Sequence, residues 1–211
     1  TSRASVMAVR PNIDTLKLKG RGQKNIDAFL EWVAKEYPQI TNVEVVDTVE
    51  QAVRGCDIVT YCNSGEVGDP SKYPIVKREW VKPGAYLAMP ASCMLDDGMS
   101  GAGVRKVMDS IGLYEAWYEE VPKPAHHHIP LVGMRFMDMI EDGLMSKEEL
   151  EDLGAIVAGD SPARLNDEEI IVMSVGGMPV EDVAWATKIY RNAVAKGIGV
   201  SLNLWQEPAL K

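Results

Sequence analysis

Asp57-Ile-Val-Thr-Tyr-Cys-Asn-Ser-Gly65 is the stretch whose reading decides the fold. A short β-branched and aromatic run reads as a strand, and it breaks directly into small polar residues. Open α/β sheets bind their ligands at that carboxyl end of a strand. The same pattern extends outward on both sides. Thr15-Leu-Lys-Leu-Lys19 reads as a strand and Gly20-Arg21-Gly22 as a turn. A helix over 25–37 follows, with Ile26, Phe29, Leu30 and Val33 on one face and Pro38 as its stop. Asn42-Val-Glu-Val-Val46 is a strand, and Thr48 with Gln51 forms a capping box for a short helix ended by Gly55. Gly84-Ala-Tyr-Leu-Ala-Met89 is a fourth strand, which leads into the small-residue loop Pro90-Ala91-Ser92-Cys93. Strands alternating with helices predict an α/β fold with a parallel sheet.

Beyond Ser100 the alternation weakens. The pattern predicts a helix over 103–109, a strand over 114–119, and a connection bearing prolines and histidines up to Pro130. Ser146 and Glu149 make a second capping box, predicting a helix that leads to Leu153. Residues 169–173 read as the final strand. The last helix, over 180–196, places Val183, Ala186, Ile189, Tyr190 and Ala193 on one face, with Gly197 at its end.

Composition narrows the function classes. The 211 residues are 46% hydrophobic and 25% charged, which suits a globular chain with a sizeable core. No apolar run approaches the roughly 18 residues a membrane helix needs, and no signal-peptide core stands near Thr1. No membrane association and a cytoplasmic location are expected. Cys56, Cys62 and Cys93 form no CxxC pair, which argues against a disulfide framework or a structural zinc site. The net charge of −9 works against nucleic-acid binding, and the only dense basic stretch lies between Lys17 and Lys24.

Three stretches together resemble the ornithine cyclodeaminase/mu-crystallin family. They are Asp57-Ile-Val-Thr with the turn beyond it, Val81-Lys-Pro-Gly-Ala-Tyr-Leu-Ala88, and Asp152-Leu-Gly-Ala-Ile-Val-Ala-Gly-Asp-Ser-Pro-Ala-Arg164. The third continues through Asp167-Glu-Glu-Ile170, Ser174-Val-Gly176, Glu181-Asp182 and Gly197-Ile-Gly199. The resemblance implies a Rossmann-type parallel sheet with helices on both faces, here incomplete at its first strand and glycine-rich loop. It implies a dinucleotide-binding domain over 1–199 and a tail over 200–211 returning towards a substrate and dimerisation domain formed by earlier residues. A homodimer through that domain follows from the same resemblance.

Candidate site residues come from the turns and from the resemblance. A Rossmann strand normally ends in an acidic residue that bonds the ribose 2′-OH, whereas arginine suits a 2′-phosphate. Arg21 and Lys24 stand there with no acidic residue before Asp27, which favours NADP(H) over NAD(H). Both are also compatible with ordinary solvated charges on a turn. The resemblance puts Asn63-Ser64 and Met89-Pro90 in loops over the nicotinamide side, and matches Ser174 to a serine near that ring. For Asn63 an Asx-type turn, and for Ser174 a helix cap, are plainer alternatives.

Ornithine cyclodeaminase itself carries a catalytic aspartate in the loop after the fourth strand, a position occupied here by Cys93 beside Ser92. Asp96 and Asp97 follow shortly after, and either reaches the site with a shifted loop or satisfies exposed N–H groups of a helix start. The resemblance therefore implies hydride transfer at a C–N centre of an amino acid, imino acid or cyclic ketimine. Redox-neutral cyclodeamination and cofactor binding without catalysis are the alternatives. His126-His127-His128 cannot all face one ion from regular backbone, so a proline-flanked loop near the cleft is expected and no metal site.

Overall fold

The computed structural model describes Met7, residues 9–63 and residues 69–202. The chain divides into two compact units, Thr1–Gly176 and Gly177–Lys211. Nine strands and six helices are found among the described residues. In chain order they are β1 (Thr15–Leu18), α1 (Gln23–Glu36), β2 (Asn42–Val45), α2 (Val49–Val53), β3 (Ile58–Thr60), β4 (Ile75–Val76), β5 (Tyr86–Met89), β6 (Met94–Leu95), β7 (Val104–Met108), α3 (Ile111–Glu120), α4 (Val132–Glu141), β8 (Leu150–Asp152), α5 (Leu153–Ala158), β9 (Ile170–Ser174) and α6 (Pro179–Lys196).

The main sheet has five parallel strands in the order β3-β5-β9-β7-β8. One row of register partners crosses it completely: Val59, Leu87, Val172, Lys106 and Leu150. Side chains alternate between the faces of a strand, so the next row must point the other way. Val59, Leu87, Val172 and Leu150 join the large core with Tyr114, Phe136 and Met139 of α3 and α4. Val107, Ile171 and Met173 form a second cluster against Leu153 and Ile156 of α5. The sheet is thus covered by helices on both faces, and its strands read as apolar runs because neither face meets water.

β1 and β2 pair in parallel as a separate two-stranded sheet. The expectation of one parallel sheet would put Leu16 and Val45 on its strands together with Ile58, Leu87 and Ile171. Only the last two lie on interior strands of the five-stranded sheet, and Val45 is exposed. The physical reason is pairing: among the described residues, β1 bonds only β2, and β3 bonds only β5. Helix α1 meets its expectation, burying Ile26 and Val33 on the predicted face. The Thr48–Gln51 capping box is formed in both directions.

Two elements are exchanged relative to expectation. Residues 104–108 form strand β7 rather than a helix, and residues 111–120 form helix α3 rather than a strand. Arg105 and Lys106 interrupt the apolar run of β7 and mimic an amphipathic helix, yet both are buried and paired. Arg105 donates to Glu151 Oε2 and Ser161 Oγ, each at 2.9 Å, and Lys106 to Glu149 Oε2 at 2.9 Å and the Ser100 carbonyl at 2.7 Å. In α3, aromatic residues that favour strands sit at helical spacing instead, with Tyr114 and Trp117 in edge contact at 5.6 Å. The Ser146–Glu149 box also forms, but it caps a single 3₁₀ turn before β8.

The second unit contains α6, with Pro179 in its first turn, Glu181 and Asp182 nearby, and Gly197 in the left-handed conformation at φ 63°. Val180, Val183, Trp185, Ile189 and Tyr190 are all exposed on it. Among the described residues, no helix is long and apolar enough to cross a membrane.

Candidate active site at the carboxyl edge of the sheet

Parallel strands deliver their carboxyl ends to one edge, so the exits of β3, β5, β7 and β9 meet there. Asn63 follows β3, is half-buried, and its side-chain oxygen is buried without a partner. A buried acceptor left open in this way is suited to an N–H or O–H of a bound molecule. Ser64, expected beside it, lies outside the described residues. Met89 ends β5 fully buried, and Pro90 beyond it is exposed.

Ser174 ends β9 with no exposure. Its hydroxyl accepts the Gly133 N–H at 2.7 Å and lies 3.0 Å from the Tyr114 phenol, binding β9 to the starts of α3 and α4. Burial pushes the Tyr114 phenol well above its ordinary range, against the smaller opposing effect of the Ser174 bond. Asp109, absent from the sequence-based candidates, follows β7 and is buried. Its carboxylate accepts N–H groups of Ser110 at 3.1 Å and Gly176 at 2.8 Å, so it shapes the loop leaving β9. An acidic residue closing an apolar strand was the available signal, hidden while 103–109 read as a helix.

Of the four catalytic candidates, Cys93, Asp96 and Asp97 each bond a different partner. Ser92 is half-buried, and Cys93 is buried with its Sγ donating to the Met94 carbonyl at 3.3 Å. Burial raises the Cys93 thiol far above its ordinary value, so it is a neutral thiol and not a thiolate nucleophile. Asp96 Oδ1 accepts the Arg78 N–H at 3.0 Å, fixing one turn against another. Asp97 is exposed and pairs with Arg135 at 2.5 Å.

Arg21 and Lys24 are exposed at the turn between β1 and α1. The first turn of α1 holds no acidic residue, and its Gly22 cap offers no side-chain bond, so the positive end of this helix is uncompensated. Among the described residues, no group of three or more His, Cys, Asp or Glu gathers to hold a metal ion.

The residues of the third sequence stretch are explained by this frame. Asp152 receives the Gly154 N–H at 2.8 Å and the Ile111 N–H at 3.2 Å, serving two helix starts with one carboxylate. Arg164 donates to the carbonyls of Glu169 and, at 3.0 Å, of Gly84. Gly84 itself has φ +77°, and a Cβ there would fall 2.4 Å from the Asp167 carbonyl.

The sequence model of the ornithine cyclodeaminase/mu-crystallin family matches residues 1–197. The chain belongs to that family. N-((2S)-2-amino-2-carboxyethyl)-L-glutamate dehydrogenase of Staphylococcus aureus is 43% identical over 178 residues, covering 84% of this chain and 46% of that protein. Alanine dehydrogenase of Archaeoglobus fulgidus is 24% identical, covering 76% of this chain and 44% of that protein. The chain thus spans about half the length of these relatives. The solved Δ1-pyrroline-2-carboxylate reductase of Thermococcus litoralis, in complex with NADH and L-proline, superposes with a TM-score of 0.68 at 20% identity. That match covers 95% of this chain and 57% of the other, and it shows the shared fold.

Proposed function

We propose that this chain is the cofactor-binding part of an NAD(P)-dependent oxidoreductase acting at a C–N centre of an amino acid, imino acid or cyclic ketimine. The unpartnered Asn63 oxygen at the carboxyl edge carries the reading, because it offers a ligand an acceptor where α/β sheets bind dinucleotides. The dehydrogenase and reductase names of the relatives support the reaction class. A bound nicotinamide cofactor supplies the hydride chemistry. This chain's own residues hold and orient it: Asn63 and Ser64 from one loop, Met89 and Pro90 from another, and Arg21 with Lys24 towards a 2′-phosphate. NADP(H) is the favoured cofactor. Ser174 acts by fixing the edge on which those loops stand.

The organisation proposed for the complete protein is a homodimer. The dinucleotide-binding part is residues 1–199; of the tail, residues 200–211, those beyond residue 202 lie outside the described residues, and its proposed partner is a substrate domain. The exposed apolar face of α6 supports such a neighbour. Cytoplasmic location is proposed with it.

The test is turnover by the complete protein with NADPH and a cyclic ketimine such as a pyrroline carboxylate. Net consumption of NADPH is expected. Ammonia release from ornithine without net cofactor consumption would replace the reading by cyclodeamination, and tight NADPH binding with no turnover on any amine or imine would leave a binding protein.

A further inference from the structure

The loop leaving β9, Ser174-Val-Gly176, is held from four other elements of the same unit. The Val175 N–H reaches the Met89 carbonyl at the end of β5 at 3.5 Å. Ser174 Oγ meets the Gly133 N–H of α4 and the Tyr114 phenol of α3. Asp109, just past β7, completes the set with both its backbone and its side chain. Its N–H donates to the Ser174 carbonyl at 3.3 Å, and its Oδ2 accepts the Gly176 N–H at 2.8 Å. Oδ1 takes the Ser110 N–H at 3.1 Å, so two backbone donors fix the plane of the carboxylate. From the opposite side Gly176 rests on α3, where a Cβ would fall 3.0 Å from the Tyr114 hydroxyl and 3.2 Å from the Trp117 ring. A shift of this turn therefore breaks one of these bonds or meets a ring.

A carboxylate that is only 5% exposed is a costly way to fix a turn unless the exact place of that turn matters. Binding surfaces have that need, because their groups must be held to within roughly 0.5 Å by neighbours that are themselves locked.

The place of the loop selects what it meets. On the reading proposed above, Arg21 and Lys24 take the 2′-phosphate at the adenosine end of the cofactor. Their strand, β1, is tied to the β3 side of the main sheet by Lys17, whose ammonium donates to the Arg54 carbonyl shortly ahead of β3 at 2.8 Å. From there the exits of β3, β5 and β9 follow in spatial order, each step roughly 4.8 Å. With its adenosine end towards β1, an extended dinucleotide brings its other end to β9.

We propose that Asp109 is a positioning residue for the nicotinamide end of the cofactor. It sets the backbone of Val175 and Gly176 against which the nicotinamide lies, without touching the ring itself. This inference rests on the dinucleotide-binding reading and adds the residue that governs one end of that site.

Two substitutions disturb the turn from opposite sides. Asp109→Asn keeps the size of the side chain, but an amide has one oxygen for two N–H donors, so the bond to Ser110 or to Gly176 is lost. Gly176→Ala pushes the turn away from the Tyr114 hydroxyl. The complete protein and both variants are titrated calorimetrically with NADPH against 2′-phospho-ADP-ribose and with NADH against ADP-ribose, the second of each pair lacking the nicotinamide. Both variants should weaken the dinucleotides by about tenfold, the worth of one hydrogen bond, and bind the ADP-ribose compounds as the wild type does. Equal weakening within a pair would make Asp109 a support of the whole domain and overturn the proposal. Unchanged dinucleotide affinity in Asp109→Asn would overturn it too. If Asp109→Asn does not fold, Gly176→Ala decides by the same comparison. A wild-type protein that binds neither member of either pair would remove the dinucleotide reading itself, and this proposal with it.

Discussion

The Ser174 hydroxyl and the Tyr114 phenol lie 3.0 Å apart, and both side chains are fully buried. The same hydroxyl accepts the Gly133 N–H, so one small side chain joins β9, α3 and α4. Ser174→Ala should cost about 1–3 kcal/mol, because it strands a buried phenol and a buried N–H. Gly133→Ala should cost a similar ~1–3 kcal/mol, since its Cβ would fall 2.3 Å from the Tyr114 ring. Denaturant unfolding measures both. A Ser174→Ala protein of unchanged stability but raised KM for cofactor would instead make this serine a ligand contact.

Arg21 and Lys24 flank the start of α1 with no acidic residue in its first turn. Arg21→Asp should weaken NADPH binding by about tenfold or more and spare NADH, because a carboxylate repels the 2′-phosphate and can bond a 2′-OH. Titration of both cofactors into the complete protein decides it. Equal affinities unaltered by the substitution would remove the case for NADP(H).

Lys106 is 2% exposed within the apolar row of the main sheet, and Glu149 answers its charge. Glu149→Gln should destabilise by about 1–3 kcal/mol. That is less than a fully buried pair would lose, because Glu149 is partly in water and Lys106 keeps the Ser100 carbonyl. Lys106→Met should be milder, since it removes the charge and keeps the packing. If Glu149→Gln leaves the unfolding midpoint where it was, the ion pair contributes nothing.

Two carboxylates predict the acid limb of stability. The Lys106 bond, with the Ser146 N–H, lowers the Glu149 pKa. Asp138 is also held low, burial raising it less than the bonds from His126 and Ala125 lower it. A depressed carboxylate contributes stability above its unfolded value, about 3.9 for Asp and 4.3 for Glu, and loses it as pH falls through the folded value. Stability should therefore drop below about pH 4, and Asp138→Asn or Glu149→Gln should each flatten that drop. Unfolding curves that decline equally steeply in wild type and both variants would contradict this.

Among the described residues, β1 and β2 pair only with each other, β3 only with β5 and β8 only with β7, so both sheets keep edge strands paired on one side. We expect the 211-residue chain expressed alone to aggregate or to bind cofactor weakly, because open edges and the apolar face of α6 seek partners. Supplying the proposed substrate domain, in cis or as a second chain, is expected to give a compact dimer with tight binding. A monodisperse 211-residue protein that binds NADPH at micromolar concentration would refute it.

The sequence by itself determined the α/β class, the family and most elements of the first half. Those runs are buried on both faces or bounded by local signals, such as the Thr48–Gln51 box and the left-handed Gly197, which need no distant partner. Only the tertiary structure decided β7 and α3. Arg105 and Lys106 look polar until Glu151 and Glu149, more than forty residues away, pay for their burial, and Tyr114 looks strand-forming until Ser174 meets it. The same holds for the site. Arg21 and Asn63 became candidates because they sit at turn signals, whereas Asp109 owes its character to a contact across the fold. Local chemistry writes periodicity and caps into a sequence, but the partner of a buried charge is chosen by the packing of the whole domain.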